Sequence, residues 1–436
     1  MKARTTLTIL AVAGAVASTA FAAVPVIDTS SVSVRQDGSH TVVIDYTMNP
    51  ATSGDKELAI VTVDVLTNGV SVGGEHLRTL SGDVNKVVAH TADYKHKILW
   101  SPHKEGMPEF LLPAAQVTAQ VTVWSTNSPP DYWVIDLTQP TDRTADRYYP
   151  NAGQLPGSVT NILYKTDRLV MRRIPAKGVT WKMGKAATGM AAYHYVTFSY
   201  DYWMAVFETT QAQVAKLQWN AATAYVDIWA AEGQEAFPFC VEAYGQSSGR
   251  TCLRRTMETN GSWVENLWPE YGRETIYDNC LLYNIRQGLG GMLMDIPTDA
   301  EWEFAARAGS STIYCNGGST IEDLDKVAWY FDNADGNRHE VGLKDANNWG
   351  LYDVLGNVSE FTLDWGVTKT SDPVWDPKGP KREDSSYSQH IRRGGSWNEL
   401  STRIARYELG TVIADEDDNT TKKFPERGFR LCLVMP

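Results

Sequence analysis

The chain has 436 residues, 43% of them hydrophobic and 21% charged, and its formal net charge is −12. This length exceeds that of a typical single domain, so we expect two domains of ordinary globular composition. A nucleic-acid-binding surface is usually basic and clustered on one face. Because the chain is acidic and has no run rich in Lys or Arg, we expect no nucleic-acid partner.

The N-terminus has the features of a signal peptide spanning residues 1–23. Lys2 and Arg4 form a short basic start, residues 7–17 are apolar or small, and Ala20-Phe21-Ala22 offers a small-x-small cleavage site. This series predicts cleavage near residue 23 and export, hence a secreted, periplasmic or cell-surface protein. The apolar run is too short to span a bilayer comfortably, and we predict no membrane span in the rest of the chain.

Residues 24–125 predict an all-β domain, a sandwich of the immunoglobulin-like kind. Short β-branched or alternating runs lie at 32–34, 42–46, 58–66 and 117–124, and turn residues such as Asn68-Gly69 separate them. Short strands at this spacing, without a helical period, are typical of β-sandwiches. This part contains no cysteine, so we expect an apolar core to hold it together.

Residues 126–165 contain several Pro and Gly and predict a connecting segment, part of which packs on the second domain. Residues 166–436 form that second domain, which mixes helices with irregular chain. We expect helices over 209–219, with Thr209 or Thr210 as N-cap, and over 278–286. A third should begin after Thr298, because Thr298 and Glu301 are spaced for a capping box. The fold class predicted for the whole chain is α+β.

Four segments of the second domain carry specific motifs. Residues 296–309 read IPTDAEWEFAARAG, residues 349–361 read WGLYDVLGNVSEF, residues 393–397 read RGGSW and residues 427–430 read RGFR. In this order, from about Leu169 to Val434, they resemble the sulfatase-modifying factor family, which is also called the formylglycine-generating enzyme family. The resemblance implies a loop-rich, C-type-lectin-like fold for this domain.

The resemblance also implies an activity, but one departure affects it. The best-known members of the family oxidise a cysteine of a sulfatase to formylglycine, using copper held by two cysteines a few residues after "GGS". Aligned on Gly394-Gly395-Ser396, those two positions hold Glu399 and Ile404. Soft thiolates select Cu(I), whereas a carboxylate and an alkyl chain do not. We therefore do not expect copper.

Two functions from different classes follow. The first is a non-oxidase module that binds a protein, peptide or glycan. The alternative is a formylglycine-generating-type or non-haem metal oxidoreductase with an altered site, acting on a protein or thiol substrate. Copper or iron in the purified protein would favour the enzyme, and ligand binding without turnover would favour the module.

Several residues are candidates for the site. Ser396 matches the family serine beside the active site and is a candidate catalytic residue, although it also suits a tight loop. Glu399, Phe361 and Trp397 are candidates for lining a ligand groove. Further aromatic candidates lie outside the motifs, at Trp219, Trp263, Trp268 and Trp375.

Asn357 and Glu360 are candidate ligands of a calcium ion. In calcium-binding family members the "GNVWE" loop supplies these two side chains together with backbone carbonyls, and hard oxygen ligands suit Ca²⁺. The other interpretation is that Asn357 sets a turn and Glu360 pairs with a nearby Arg. His339 lies at a common family position, where we expect a loop or core histidine rather than a metal ligand.

The five cysteines permit disulfides in an exported chain. In family members with disulfides, one bridge joins the helix before the "LPTEAEWE" motif to the last strand, which implies a Cys280–Cys432 pair here. Cys240 and Cys252 are close enough in sequence to pair locally. Cys315 is then the odd cysteine.

Overall fold

The computed structural model of the protein describes most of the chain after residue 24. The described ranges are 25–50, 58–89, 93–107, 117–184, 194–217, 233, 235–239, 256–257, 263–264, 285, 289–290, 292–365, 372–378, 389–404, 410–413 and 426–435. The predicted signal peptide, the acidic run at 415–418 and nearly all of the helix predicted at 278–286 lie outside them. No helix among these residues is long and apolar enough to cross a membrane.

The described residues of the N-terminal unit form eight strands in two antiparallel sheets. They are β1 Val26–Gln36, β2 Val42–Asn49, β3 Leu58–Thr67, β4 Val70–Ser71, β5 Ser81–Gly82, β6 Lys86–Ala89, β7 Lys95–Trp100 and β8 Val117–Ser125. One sheet has the order β1-β2-β7-β5. In the other sheet, β3 pairs with β4, β6 and β8. The apolar runs recognised in the sequence lie within β1, β2, β3 and β8.

Apolar side chains of both sheets form one buried cluster in this unit. Tyr46, Val61 and Trp100 belong to it, and all three are buried. Buried polar groups are satisfied locally: the Tyr46 hydroxyl donates to the Asp83 carbonyl at 2.7 Å, and the indole N–H of Trp100 donates to the His76 carbonyl at 2.7 Å. Burial of apolar area therefore stabilises this unit without a disulfide.

The segment 126–165 is largely built into the second unit. It contains β9 Tyr132–Asp136 and β10 Arg147–Tyr149, and β9 pairs along its length with β11 Arg168–Ile174. The part of this segment that packs on the second domain is thus larger than expected, because two of its strands are strands of that domain's sheet.

The remaining elements of the second unit are short. They are β12 Thr180–Met183, β13 His194–Thr197, β14 Tyr202–Ala205, α1 Gln211–Leu217, β15 Thr256–Met257, β16 Trp263–Val264, α2 Asp299–Arg307, α3 Ile321–Val327, β17 Ala328–Trp329, β18 Leu355–Gly356, β19 Ser359–Trp365, β20 Val374–Trp375, β21 Gln389–Arg393, β22 Gly410–Ile413, β23 Arg427–Gly428 and β24 Cys432–Val434. Short 3-10 turns occur in both units: Gly74–His76 and Pro102–Glu105 in the N-terminal unit, and Arg143–Ala145, Ala152–Gln154, Ile162–Lys165 and Ser401–Arg403 in the second. The described residues are mostly strands with few helices, as an α+β fold requires.

Three sheets organise these elements. The largest has the order β10-β9-β11-β14-β24, a second has the order β12-β13-β20, and a third has the order β22-β21-β19-β23. Two-stranded pairs form between β15 and β16 and between β17 and β18. Helix α2 packs against β12, β19 and β21 and so lies between the second and third sheets.

The helix starts agree with their sequence signals. The Thr210 hydroxyl accepts from the Gln213 N–H at 3.2 Å, while the Gln213 side chain accepts from the Thr210 N–H at 3.0 Å. At α2, Thr298 and Glu301 make the same reciprocal pair, with bonds of 3.2 and 2.8 Å. Both starts satisfy otherwise unpaired backbone donors at a helix N-terminus.

The cysteines do not follow the predicted disulfide pattern where they are described. Cys432 is a buried free thiol, without the bridge to Cys280 that the family resemblance implied. It lies in β24, where its backbone pairs with Asp295, and its side chain belongs to an apolar cluster. Cys240, Cys252 and Cys280 lie outside the described residues, so the local Cys240–Cys252 pair stays a prediction. Cys315 is buried in the same cluster as Cys432.

The two units touch through backbone. The Tyr148 N–H donates to the Asn85 carbonyl at 2.8 Å, which joins β10 to the N-terminal unit. The turn at Gly74 lies against the turn that ends at Gln154, and a Cβ on Gly74 would come within 2.4 Å of the Gln154 carbonyl carbon. Only glycine permits this approach, because the atoms in the way belong to backbone.

Gly74→Ala should destabilise the protein by about 1–3 kcal/mol, since the added methyl must push the two backbones apart. The free energy of unfolding, measured in urea, tests this expectation. Gly38→Ala is the matched control, because nothing lies within 4 Å of a Cβ there. Equal stability of the two variants would show that the contact between the units is not tight.

Candidate functional site

Three of the sequence motifs meet at one buried ion pair. Glu360, from the segment 349–361, accepts from Arg430 Nε at 2.7 Å and Nη2 at 2.5 Å, and from Trp302 Nε1 at 2.7 Å. All three side chains are buried. A buried carboxylate needs such partners, because removing its charge from water costs several kcal/mol.

The RGGSW motif is held by a second buried ion pair. Arg393 contacts the carboxylates of Asp299 and Glu303 on α2, the latter at 3.0 Å. Glu303 also accepts from the Gly184 N–H at 3.0 Å and pairs with Arg307. The carboxylates of α2 thus hold Arg393 in place, and with it the start of the Gly394-Gly395 loop.

Further carboxyl groups lie buried near Arg430. Glu208 accepts from the Val358 N–H at 3.0 Å and from Asn357 Nδ2 at 2.7 Å. Asp353 accepts from the Gly342 N–H at 2.6 Å. Burial raises the pKa of Glu208 well above its usual value, and it raises the pKa of Asp353 to about 6. Neighbouring carboxylates add to both shifts, so the folded protein favours protons on this group.

The two candidate calcium ligands have protein partners. Asn357 has a left-handed φ of 53°, and its Oδ1 accepts from the His339 N–H at 2.9 Å. Glu360 is paired with Arg430 as described. These are the contacts expected if Asn357 sets a turn and Glu360 pairs with an arginine, which was the alternative to calcium binding. Among the residues that the structure describes, no three His, Cys, Asp or Glu side chains are grouped to hold a metal ion. The calcium site stays a prediction.

His339 has the loop environment that we expected. Its ring stacks on Trp329 with centroids 3.8 Å apart, and its Nε2 lies 3.0 Å from the Ala334 carbonyl. Lys344 lies over the same indole, with its Nζ 3.9 Å from the ring centroid. The ring therefore packs on Trp329 within this loop cluster.

Glu399 and Ile404 converge on Gly395. A Cβ on Gly395 would lie 2.3 Å from Ile404 Cδ1 and 3.2 Å from Glu399 Oε2, and Gly395 has a left-handed φ of 73°. Ile404 is buried. The backbone angle favours glycine here, and a larger residue would also have to displace the end of the Ile404 side chain. The two residues that the sequence singled out form one site.

Glu399 is part of an ion pair that reaches the surface. Its Oε1 lies 3.0 Å from Arg392 Nη2, and the two side chains are 20% and 16% exposed. Arg392 Nη1 also donates to the Ser359 hydroxyl at 2.9 Å. The sequence analysis missed Arg392, although its place gives a signal: in β21 it precedes the buried Arg393, so its side chain points to the opposite face.

Two exposed apolar side chains flank this ion pair. The Phe331 N–H donates to the Glu399 carbonyl at 3.0 Å, and Leu400 follows Glu399 in the chain. Phe331 is 60% exposed and Leu400 is 54% exposed. We call Arg392, Glu399, Phe331 and Leu400 the Gly395 rim. Exposed apolar residues next to a partly buried ion pair make this rim a candidate contact surface.

The other candidates lie in different surroundings. Ser396 is buried, and its hydroxyl donates to Asn398 Oδ1 at 2.8 Å, as in a tight loop. Trp397 is half-buried, and its N–H donates to the Asn357 carbonyl at 2.8 Å. Phe361 is buried in the apolar cluster that contains Phe429, so it cannot line a groove in this structure. Trp219 and Trp268, and the side chain of Trp263, lie outside the described residues.

Comparison with known proteins agrees with this arrangement of motifs. Residues 172–434 match the family model described as the sulfatase-modifying factor enzyme 1-like domain. The chain belongs to this family. The match begins in β11 and ends in β24, so it includes both buried ion pairs and the Gly395 rim.

Two curated proteins are similar to part of the chain. The formylglycine-generating enzyme of Mus musculus is 28% identical over 147 residues, which are 31% of this chain and 38% of that protein. A chaperone protein LppX of Paenibacillus barcinonensis is 32% identical over 132 residues, which are 26% of this chain and 41% of that protein. The chain thus spans about two fifths of the length of these relatives.

A solved structure is also similar. The Treponema denticola variable protein 1 matches with a TM-score of 0.43 and 24% identity, over 64% of this chain and 97% of that chain.

Glu360→Gln should lower the free energy of unfolding by about 3–5 kcal/mol, because it leaves the buried Arg430 without its counter-charge. Urea unfolding measures the loss. Asp45→Asn, which breaks the exposed Arg35–Asp45 pair, is the control and should cost less than about 1 kcal/mol. Combining Glu360→Gln with Arg430→Met should cost less than the sum of the single changes. Additive losses would contradict the coupling.

Proposed function

We propose that this sulfatase-modifying factor family protein is an exported binding module that does not carry out copper-dependent oxidation. One observation carries the proposal. The two positions that the family resemblance assigns to copper-binding cysteines hold Glu399 and Ile404, and these side chains converge on Gly395. The residues of the proposed site are thus in place, but their chemistry is different.

The side chains beside Gly395 do not fit Cu(I). Cu(I) prefers thiolates, and Glu399 offers a hard carboxylate that is already paired with Arg392. Ile404 offers no donor atom. Among the described cysteines, Cys432 has a thiol whose pKa is raised well above its usual value by burial, so it stays neutral and unreactive. No step of the family's oxidation can be assigned to these residues.

The Gly395 rim supports the binding half of the proposal. Its ion pair offers both charges at partial burial, and its two apolar side chains offer contact area that folding leaves in water. A ligand with polar and apolar groups, such as a protein segment or a peptide, suits this combination better than a purely ionic one. Because Arg392 pairs with Glu399 and also donates to the Ser359 hydroxyl, the surface is held in place before any ligand arrives.

Export and the domain layout belong to the same proposal. The basic, apolar and small-x-small series at residues 1–23 supports a cleaved signal peptide and a secreted, periplasmic or cell-surface location. The two N-terminal sheets share one apolar cluster, which supports a β-sandwich. The family match supports a C-type-lectin-like layout for the second unit.

The purified protein should not convert a Cys-x-Pro-x-Arg peptide to formylglycine, with or without added copper, because no thiolate pair flanks Gly395. Mass spectrometry of the peptide measures the conversion, and the Mus musculus formylglycine-generating enzyme serves as positive control. Glu399→Cys combined with Ile404→Cys should not restore full activity, since Ser359 and Phe361 stand where the family resemblance implies two tryptophans. A copper-dependent gain of the aldehyde by the unchanged protein would overturn the proposal in favour of the oxidoreductase.

Peptides selected from a displayed library on the unchanged protein should lose binding when Phe331 and Leu400 are both changed to Ala. We expect a loss of at least about tenfold in affinity, or about 1.4 kcal/mol, because both side chains supply contact area. Fluorescence polarisation of a labelled peptide measures it. Val70→Ala, an exposed apolar position in the N-terminal unit, is the control. Peptides that bind the rim variant equally well would contradict a binding role for the rim.

A further inference from the structure

The sheet β12-β13-β20 presents two exposed aromatic side chains on its outer face. Tyr195 is 51% exposed and Trp375 is 68% exposed. Trp375 is the backbone partner of Thr197 in the parallel β13–β20 pair, and Tyr195 lies two residues before Thr197. Because residues two apart, and residues directly paired, share one face of a sheet, both rings project from the same side.

The inner face of the same sheet confirms this orientation. Met183 and Val196 belong to the apolar cluster of the second unit, and Trp181, the partner of Val196, packs against that cluster. Alternation then places Thr180 and Thr197 on the outer face as well, where their hydroxyls lie 2.8 Å apart, with Thr180 exposed and Thr197 buried. Thr197 lies beside both rings on this face, and Thr180 and Lys182 lie across from β13 on β12.

The backbone at Trp375 is held in place, although little of the Trp375 side chain is buried. The next residue, Asp376, has a left-handed φ of 45°, which is unusual for a residue with a side chain. Asp376 donates its N–H to the Thr197 carbonyl at 3.0 Å, and its carboxylate accepts from the N–H and hydroxyl of Ser199, both at 2.6 Å. These bonds fix the turn that displays the indole, so the ring is pre-organised for a ligand.

The size of this face selects the kind of ligand. A Tyr and a Trp each carry about 150–250 Å² of surface, so their exposed parts offer roughly 250 Å² together. A stable protein partner needs about 800 Å² on each side. The strand geometry places the two α-carbons roughly 8 Å apart, a separation that suits successive rings of a linear chain molecule rather than a globular surface.

We propose that Tyr195 and Trp375 form a binding platform for a linear, β-linked oligosaccharide. The C–H faces of sugar rings are apolar and stack on aromatic rings, while their hydroxyls can bond with the exposed Thr180 side chain. Extended β-1,4-linked chains can lay their sugar rings flat along a surface, and the outer face of this sheet offers such a surface. Single-stranded nucleic acid also stacks on aromatic rings, but its binding needs a positively charged groove, and the chain carries a net charge of −12. This platform is independent of the Gly395 rim.

Isothermal titration calorimetry of the full mature chain with cellohexaose, chitohexaose and maltohexaose tests the proposal. We expect binding of at least one β-1,4-linked hexasaccharide and weaker binding of the α-linked maltohexaose. Trp375→Ala and Tyr195→Ala should each weaken binding by at least about tenfold, whereas Trp375→Phe should keep most of it because an aromatic face remains. Thermal unfolding should be unchanged in all three variants, since both side chains are exposed.

Phe331→Ala is the matched control, because it removes an equally exposed aromatic ring from the Gly395 rim. Its affinity for the hexasaccharide should stay within about twofold of the unchanged protein. The proposal is overturned if no β-linked hexasaccharide binds, or if Trp375→Ala binds as well as the unchanged protein. Loss of binding in Phe331→Ala, with Trp375→Ala unaffected, would assign the sugar to the Gly395 rim instead and would leave the non-oxidase function intact.

Discussion

The second unit depends on the buried ion pair between Glu360 and Arg430. The two residues are 70 positions apart in the chain, and Trp302 adds a third hydrogen bond from α2. Arg430 also donates to the backbone carbonyls of Ala205, Val206 and Tyr352, with bonds of 2.9–3.3 Å. One guanidinium group therefore joins β19, the end of β14 and the loop before β18. Since neither charge is solvated, the pair is favourable only while all of these bonds are formed together.

This arrangement separates the family motifs from the surfaces that we propose for ligand binding. The charged and aromatic residues that make the motifs recognisable are mostly buried, and they hold loops rather than face a ligand. The surfaces available for binding come from residues beside the motifs, as with Arg392 next to Arg393, or from outside them, as with Trp375. A relative can thus keep the whole scaffold while its surface chemistry changes, which is why shared motifs do not establish a shared reaction.

The sequence predicted local features better than contacts between distant segments. Four of the strands described in the N-terminal unit and the cap at Thr298 were predicted correctly, and Thr210 was one of two candidates for the first cap, because alternation and capping act over a few residues. Phe361 was expected in a groove, and it lies in the core because β19 packs on the segment that contains Phe429. The segment 126–165 looked like a linker from its Pro and Gly content, yet it contains two strands of the second unit's sheet: β9 pairs with β11, and β10 pairs with β9.

The partners of the site residues were the least predictable part. Glu399 was named from the family alignment, but its ion pair with Arg392 depends on how β21 is oriented, which no local pattern gives. Cys432 shows the same limit, because here a predicted partner was not found. The family resemblance implied a bridge from Cys432 to Cys280, whereas the structure buries this thiol, unbridged, among apolar side chains. Placing a side chain on one face of a strand is possible from sequence, and naming what it touches is not.

The position of Arg430 and β24 has a consequence for the order of events in biosynthesis. Strand β24 pairs with β14, more than two hundred residues earlier, and forms the edge of the five-stranded sheet. Until the ribosome has added residues 427–434, Glu360 lacks its counter-charge and this sheet lacks its last strand. Contacts at such sequence separation form late and slowly. It follows that the second unit cannot complete its fold before its last motif has been synthesised, so its earlier strands must wait, partly unpaired, for the segment that carries Arg430.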